Sequence, residues 1–161
     1  EGGAGNDSIN GGPGNDRITD SFGDDNIKAG PGHDVVNGGP GINLILGGEG
    51  NDFIVTGPDI SEVFAGPGND FIFGNTPNEA MMGNEGDDWI QTGTADGAPG
   101  DNFDPFKRDP IRGNDVFLGG GGLDEFIGEG GDDVMNGMAG ADKNDGSSGF
   151  DWVFSKGSRC A

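Results

Sequence analysis

The sequence predicts an all-β fold, a parallel β-roll in which two nine-residue units make each coil of a flattened solenoid. Three observations predict it. A pattern G-G-x-G-x-D-x-U-x, where U is a large apolar residue, recurs along nearly the whole chain and is clearest in GGPGNDRIT at residues 11–19. Residues 2–154 divide into 17 consecutive nonapeptides with none left over. Finally, three columns of this alignment keep one phase throughout, which chance does not produce.

These columns are positions 4, 6 and 8 of the unit. Gly stands at position 4 in 13 of the 17 units, Asp at position 6 in 12, and an apolar residue at position 8 in 14. The Asp column consists of Asp7, Asp16, Asp25, Asp34, Asp52, Asp70, Asp88, Asp115, Asp124, Asp133, Asp142 and Asp151.

Each part of the unit favours one kind of local structure. Glycine accepts a positive φ and close backbone approach, so the Gly-rich half predicts a tight turn. The x-U-x triplet often has a β-branched residue at its centre and predicts a short strand. Because side chains alternate across a strand, position 8 points to one side and positions 7 and 9 to the other. Successive units therefore form alternate faces of the solenoid, with position 8 inside.

The regularity of the units divides the chain into four segments. Residues 2–91 form ten units, although Asn43, Ser61 and Glu79 replace Asp at position 6 in three of them. Residues 92–109 are an insertion loop or a degenerate coil, because Pro99 and Arg108 stand at position 8. This break spans two full units, so the phase is expected to survive it. Residues 110–154 form five further units, and residues 155–161 are a polar tail.

Composition limits the classes of partner. The 161 residues include 37 Gly, 29 acidic and 8 basic residues, for a formal net charge of −21. A chain this acidic repels phosphate, which argues against a nucleic-acid partner, and cations are its natural ligands. No apolar run is long enough to span a membrane. High charge with few large apolar residues is also typical of disorder, which we expect for the metal-free chain.

The nonapeptides resemble those of RTX, or haemolysin-type calcium-binding, proteins over residues 2–91 and 110–154. The resemblance implies a right-handed β-roll with calcium in the turns, each ion lying between units n and n+2 on the same edge. It implies that both Asp carboxylates and the carbonyls of the glycine-rich turn coordinate the ion. The glycines carried over in this way are Gly12, Gly14, Gly30, Gly32, Gly48, Gly50, Gly66 and Gly68.

About eight Ca²⁺ sites follow from the well-formed pairs of Asp residues. Eight divalent ions would reduce the net charge from −21 to −5, a tolerable value for a small fold. The pairs are Asp7 with Asp25, Asp16 with Asp34, Asp34 with Asp52, Asp52 with Asp70, Asp70 with Asp88, Asp115 with Asp133, Asp124 with Asp142, and Asp133 with Asp151.

The departures at position 6 predict an asymmetry between the two edges. Asn43, Ser61 and Glu79 all belong to odd-numbered units and so to one edge. We expect that edge to lack calcium between units 5 and 9, with the pair of Asp25 and Asn43 marginal. The opposite edge is expected to be continuously occupied up to Asp88.

Some outward positions are apolar. Phe53, Phe71 and Trp89 share position 7 on three successive coils of one face. Stacked apolar columns on an exposed sheet mark contacts, here with a protein partner, another domain of the parent chain or a second copy. Local packing along the face is the alternative.

No catalytic constellation is evident, and His33, the only histidine, is expected to be a solvent-facing turn residue. The solitary thiol of Cys160 is expected to have no role. The chain begins inside a repeat, so we expect a fragment of a longer, secreted bacterial protein. Our interpretation is a non-catalytic calcium-binding module that folds outside the cell. The alternatives are an adhesive or recognition module, and part of a secreted enzyme, for example a haem-peroxidase-like protein, whose active site lies elsewhere.

Overall fold

The computed structural model of the protein describes residues 1–74, 80–91, 99–101, 114, 116–118, 121–122, 125–127, 132–137, 139–140, 143–146 and 149–154. Its regular elements are short β-strands, and none of these residues lies in a helix. The strands are β1 (Ser8–Asn10), β2 (Arg17–Thr19), β3 (Asn26–Lys28), β4 (Val35–Asn37), β5 (Asn43–Leu46), β6 (Phe53–Val55), β7 (Ser61–Phe64), β8 (Phe71–Phe73), β9 (Ala80–Met82), β10 (Trp89–Gln91), β11 (Pro99–Asp101), β12 (Val116–Leu118), β13 (Gly121–Gly122), β14 (Glu125–Ile127), β15 (Val134–Asn136), β16 (Ala139–Gly140), β17 (Lys143–Asp145) and β18 (Trp152–Phe154).

The strands form two parallel sheets of eight strands each and a small two-stranded one, β13-β16. The first sheet has the order β1-β3-β5-β7-β9-β11-β14-β17, and the second has the order β2-β4-β6-β8-β10-β12-β15-β18. Each strand pairs with the strand one coil further on, so Ile18 lies beside Val36 and Val36 beside Ile54. This arrangement confirms the predicted all-β, parallel β-roll.

A single column of apolar side chains from each sheet fills the space between the sheets. The apolar position-8 residues that the structure describes are buried, as predicted, except at the two ends, where Ile9 is half-buried and Val153 is 49% exposed. The buried members are Ile18, Ile27, Val36, Ile45, Ile54, Val63, Ile72, Met81, Ile90, Phe117, Phe126 and Met135, with Ala29 and Ala65 beside them.

The turns stack on one another as closely as the strands do. Gly12 N donates to Ala29 O at 3.0 Å, and Gly14 N donates to Pro31 O at 2.8 Å. Gly50 has φ +125°, and a Cβ at this residue would overlap Gly32 O of the preceding coil. Glycine is therefore required at this position for two reasons, the positive φ and the inter-coil spacing.

The predicted alternation of faces does not hold across the break. Ile90 pairs with Phe117, a step of 27 residues where the regular coils take 18. Strand β11, which lies in the intervening segment, pairs between β9 and β14 in the first sheet. Units 13, 15 and 17 consequently join the second sheet and follow unit 10. The boundaries of segment 92–109 stay a prediction, because residues 92–98 and 102–113 lie outside the described residues.

Gly14 and Gly50 have nearly the same φ but differ in their contacts with other coils. Comparing them separates the effect of the positive φ from that of the inter-coil spacing. Gly14 has φ +126° but no atom within 4 Å of a Cβ built on it, whereas the Cβ at Gly50 overlaps backbone. We expect Gly14→Ala to lower the free energy of unfolding by about 1–2 kcal/mol through φ strain. Gly50→Ala should cost about 1–3 kcal/mol more because a coil must move. Denaturant unfolding in saturating calcium measures both, and equal losses would contradict the stacking argument.

Candidate metal centres

Each described position-6 residue directly precedes its strand or, at Asn43 and Ser61, begins it, so these residues stack along one edge of each sheet. We call the edge beside the first sheet the Asp7 edge; it carries Asp7, Asp25, Asn43 and Ser61. The other is the Asp16 edge, which carries Asp16, Asp34, Asp52, Asp70, Asp88, Asp133 and Asp151.

Backbone hydrogen bonds hold one carboxylate oxygen of the second Asp in each described pair. The N–H of a position-6 residue donates to Oδ1 of the position-6 residue in the next coil, and this contact repeats along both edges. The N···Oδ1 distances are 2.8 Å for Asp7–Asp25, 2.7 Å for Asp16–Asp34, 2.8 Å for Asp34–Asp52, 2.7 Å for Asp52–Asp70, 2.8 Å for Asp70–Asp88 and 3.2 Å for Asp133–Asp151.

In six of these Asp residues, and in Asp20, the second oxygen is buried and has no hydrogen-bond donor. This is unusual, because a buried polar atom without a partner is costly in free energy. The Oδ2 atoms in this state are those of Asp7, Asp16, Asp20, Asp25, Asp34, Asp52 and Asp70.

Burial makes the charged form of these carboxyls unfavourable. Desolvation raises the pKa of Asp70 to about 7 and that of Asp88 to about 6, although backbone hydrogen bonds partly oppose it. Desolvation also raises the pKa of Asp25 and Asp52. Since the pKa is higher in the folded state, the metal-free fold is most stable below the ordinary value of 3.8 and loses that stability as the pH rises toward about 7. A bound cation removes this penalty.

The turns supply carbonyl oxygens beside the carboxylates. The backbone bonds between turns use the carbonyls of positions 1 and 3, such as Ala29 O and Pro31 O. The carbonyls of positions 2 and 4 face the glycines of the next coil, where a Cβ would overlap them. These contacts are Gly12 O with Gly30, Gly14 O with Gly32, Gly30 O with Gly48, Gly32 O with Gly50, Gly48 O with Gly66, and Gly50 O with Gly68.

This donor set fits calcium. A hard cation that takes six to eight oxygens from carboxylates and backbone carbonyls matches unpaired Oδ2 atoms beside exposed carbonyls. Six of the eight predicted Asp pairs are adjacent in the structure, joined by the hydrogen bonds given above. Asp115, Asp124 and Asp142, and with them two pairs, lie outside the described residues, as does Glu79.

At Asn43 the side-chain amide donates to the turn carbonyls, the role that a bound cation would have beside an Asp. Its Oδ1 accepts from Asp25 N at 2.9 Å, as an Asp would. Its Nδ2 donates to Gly38 O at 2.9 Å and to Gly39 O at 3.1 Å, both within its own turn. The turn oxygens therefore have a donor without metal. The substitution was visible in the sequence, but the two amide bonds were not.

Ser61 follows Asn43 on the Asp7 edge and is also buried, at 1% exposure. Its Oγ has no hydrogen-bond partner and carries no charge. Its presence supports the predicted gap in calcium sites along this edge. Asp20, by contrast, was not predicted as a site residue, although it stands at position 1 of its unit, where glycine is usual.

His33 lies in a second, solvent-exposed ladder formed by position 5. Its backbone N donates to Asn15 Oδ1 at 2.9 Å, and its Nδ1 accepts from Asn51 N at 2.8 Å. The side chain is exposed, which confirms the predicted turn position. The Nδ1 atom of His33 accepts the inter-coil hydrogen bond that an Asn side-chain oxygen accepts at Asn51.

Comparison with protein families agrees with this geometry. The model of the RTX calcium-binding nonapeptide repeat, which spans four copies, matches residues 1–36, 11–45, 28–62, 46–76, 78–103 and 112–143. These matches cover well over half of the chain, and the chain therefore belongs to the RTX calcium-binding repeat family. It is a calcium-binding β-roll module of a structural repeat family. A search of curated proteins found no match.

Among the described residues no helix has the length and apolar character needed to cross a membrane.

The amide at Asn43 can be exchanged for a carboxylate. Asn43→Asp keeps the acceptor for Asp25 N but removes both donors to the turn, leaving an unpaired oxygen like those of the Asp16 edge. We expect the variant to bind about one more Ca²⁺ per chain than the wild type, measured by isothermal titration calorimetry.

The matched control is Asn43→Ala, which removes the donors and adds no charge. It should leave the number of bound ions unchanged and lower the free energy of unfolding in calcium by about 1–3 kcal/mol for the carbonyls left unpaired. An unchanged stoichiometry in Asn43→Asp would show that the turn at Asn43 is closed to calcium for another reason.

Proposed function

We propose that this chain is a non-catalytic structural module of a secreted bacterial protein, and that it folds when calcium binds outside the cell. One observation carries the proposal, the column of buried Oδ2 atoms without a donor at Asp16, Asp34, Asp52 and Asp70 of the Asp16 edge. A fold that buries such atoms in four successive coils needs a cation supplied by the solvent. Family membership supports calcium as that cation.

Folding and calcium binding then form a single equilibrium. In the unfolded chain the carboxylates are hydrated and far apart, so each pays no burial cost. In the roll they stack and are desolvated, and one buried side chain per nonapeptide is too small a core to offset the ordering of nine residues. Binding free energy from the cations supplies what the core lacks.

The Asp residues of the six adjacent pairs, with carbonyls of the glycine-rich turns, are the proposed ligands. About eight ions remain our proposed stoichiometry, which would leave a net charge of −5. The asymmetry between the edges is part of the proposal, since Asn43 and Ser61 interrupt the carboxylates of the Asp7 edge.

We propose that this module is non-catalytic, and the proposal does not extend to the parent protein. Within the part of the chain that the structure describes, the single His is exposed and bonded in a turn ladder. The buried carboxylates recur at every coil, which suits repeated cation binding better than acid–base chemistry at one place. An activity of the parent protein would reside in another domain.

A calcium titration followed by circular dichroism tests the proposal. We expect a cooperative change from coil to β-structure at about 0.1–1 mM Ca²⁺, the range of extracellular calcium modules. Mg²⁺ should fail at the same concentrations, because it demands near-octahedral geometry and dehydrates reluctantly. A chain already folded in excess chelator would contradict the proposal.

A second candidate function is recognition through the second sheet. Phe53 is 44% exposed and Trp89 is 41% exposed, and Phe71 lies between them. The Phe53 and Phe71 rings stack at 4.9 Å and 2°, and the Phe71 and Trp89 rings at 6.0 Å and 24°. Such an exposed aromatic column suits a flat protein surface, and a second copy of the calcium-loaded chain is the simplest partner.

Phe71→Ser removes the centre of this column. We expect the variant to keep its calcium midpoint within about twofold, since the residue faces outward, and to lose self-association measured by sedimentation in saturating calcium. Leu44→Ser, at position 7 of the first sheet, is the matched control and should associate as the wild type does. A wild-type chain that is monomeric in calcium would exclude a second copy as the partner.

A further inference from the structure

Three carboxylates meet at the first coil of the Asp7 edge. Asp7 and Asp25 belong to the position-6 column, whereas Asp20 stands at position 1, which is Gly or Ala in 12 of the 17 units. One carboxylate oxygen from each of the three lies within 4.8 Å of the other two.

Asp20 and Asp25 are deeply buried, at 5% and 3% exposure. Each is anchored by one oxygen, because Asp20 Oδ1 accepts from Gly3 N at 3.0 Å and Asp25 Oδ1 accepts from Asp7 N at 2.8 Å. The Oδ2 atoms of Asp7, Asp20 and Asp25 are all buried without a hydrogen-bond partner. The carboxylates of Asp7, Asp20 and Asp25 therefore direct unpaired oxygens toward one shared space.

The backbone is adapted to this arrangement. At the equivalent place in the other edge, Gly12 N donates to the backbone carbonyl of Ala29, whereas here the Asp20 side chain takes that role. A Cβ at Gly2 would overlap Asp20 Oδ1 and lie 3.0 Å from Asp7 Oδ2. The space between the carboxylates therefore exists only because residue 2 is glycine.

No described Lys, Arg or His side chain forms an ion pair with Asp7, Asp20 or Asp25. Burying three carboxylates together without a counter-charge is strongly unfavourable. The neighbouring Asp20 carboxylate adds to the desolvation that raises the pKa of Asp25. The equivalent place on the other edge offers two carboxylates, Asp16 and Asp34 from successive coils, and Ala29 stands where the Asp7 edge has Asp20.

We propose that Asp7, Asp20 and Asp25 form a three-carboxylate site that binds a calcium-sized cation more tightly than the two-carboxylate sites and prefers a trivalent to a divalent ion. The inference rests on the proposed calcium-dependent function and adds an order of filling to it. Affinity of oxygen-ligand sites for Ca²⁺ rises with the charge of the ligand set. The first ion therefore enters at the β1 end of the roll, ahead of the sites of the Asp16 edge.

Calorimetry of the whole chain with Ca²⁺, and with a competing chelator for the tightest step, tests the site. Asp20→Asn keeps the acceptor for Gly3 N and removes the charge, while Asp20→Ala introduces the residue found at Ala29 and Ala65. Both should weaken the tightest step by about tenfold or more and leave later steps within about twofold. The preference of that step for La³⁺ over Ca²⁺ should also fall.

The control for net charge is Asp59→Asn. Asp59 is exposed and accepts from Gly41 N at 3.0 Å through Oδ2, so this variant also removes one charge and keeps an inter-coil acceptor. It should bind Ca²⁺ as the wild type does. Wild-type binding by Asp20→Asn, or equal weakening by Asp59→Asn, would overturn the three-carboxylate site. A wild-type chain that binds no Ca²⁺ would instead refute the proposed function itself.

Discussion

The buried carboxylate oxygen that has no donor is the constraint on which the rest of this structure depends. At Asp34 and Asp52 of the Asp16 edge a backbone N–H holds one carboxylate oxygen, and the other oxygen is buried without a donor. The glycines, with their positive φ and absent Cβ, allow the coils to stack closely enough to create that space. The same stacking desolvates the charges, so the architecture produces both the site and its need for a cation.

The Asp7 edge departs twice from the regular column of one Asp per coil, and the same backbone accommodates both departures. At Asn43 an amide supplies two donors to the turn, and the position-6 contact to Asp25 N survives without a charge. Two units earlier Asp20 does the opposite and adds a third carboxylate. One edge of a regular repeat thus contains a turn closed by an amide and a turn with an excess of negative charge, both built on the same backbone.

The period of the sequence predicted the strands, the inward column and the adjacency of Asp residues well, because these depend on contacts between residues a constant 18 apart. The prediction was weaker where that constancy ends. Between Ile90 and Phe117 the coil takes 27 residues, and odd-numbered units move to the second sheet. Counting units along the chain assumed that successive units always alternate between the sheets, whereas β12 of unit 13 pairs directly with β10 of unit 10.

By itself, the sequence determined the all-β class, the β-roll, the buried position 8 and the acidic column that requires cations, since each follows from a local pattern repeated many times. Only the tertiary structure decided which oxygen of each Asp stays unpaired, that the Asn43 amide donates to Gly38 and Gly39, and that Asp20 joins Asp7 and Asp25. These features depend on how atoms of different coils approach one another. A pattern read along one chain contains the spacing of residues but not the direction in which each polar atom points.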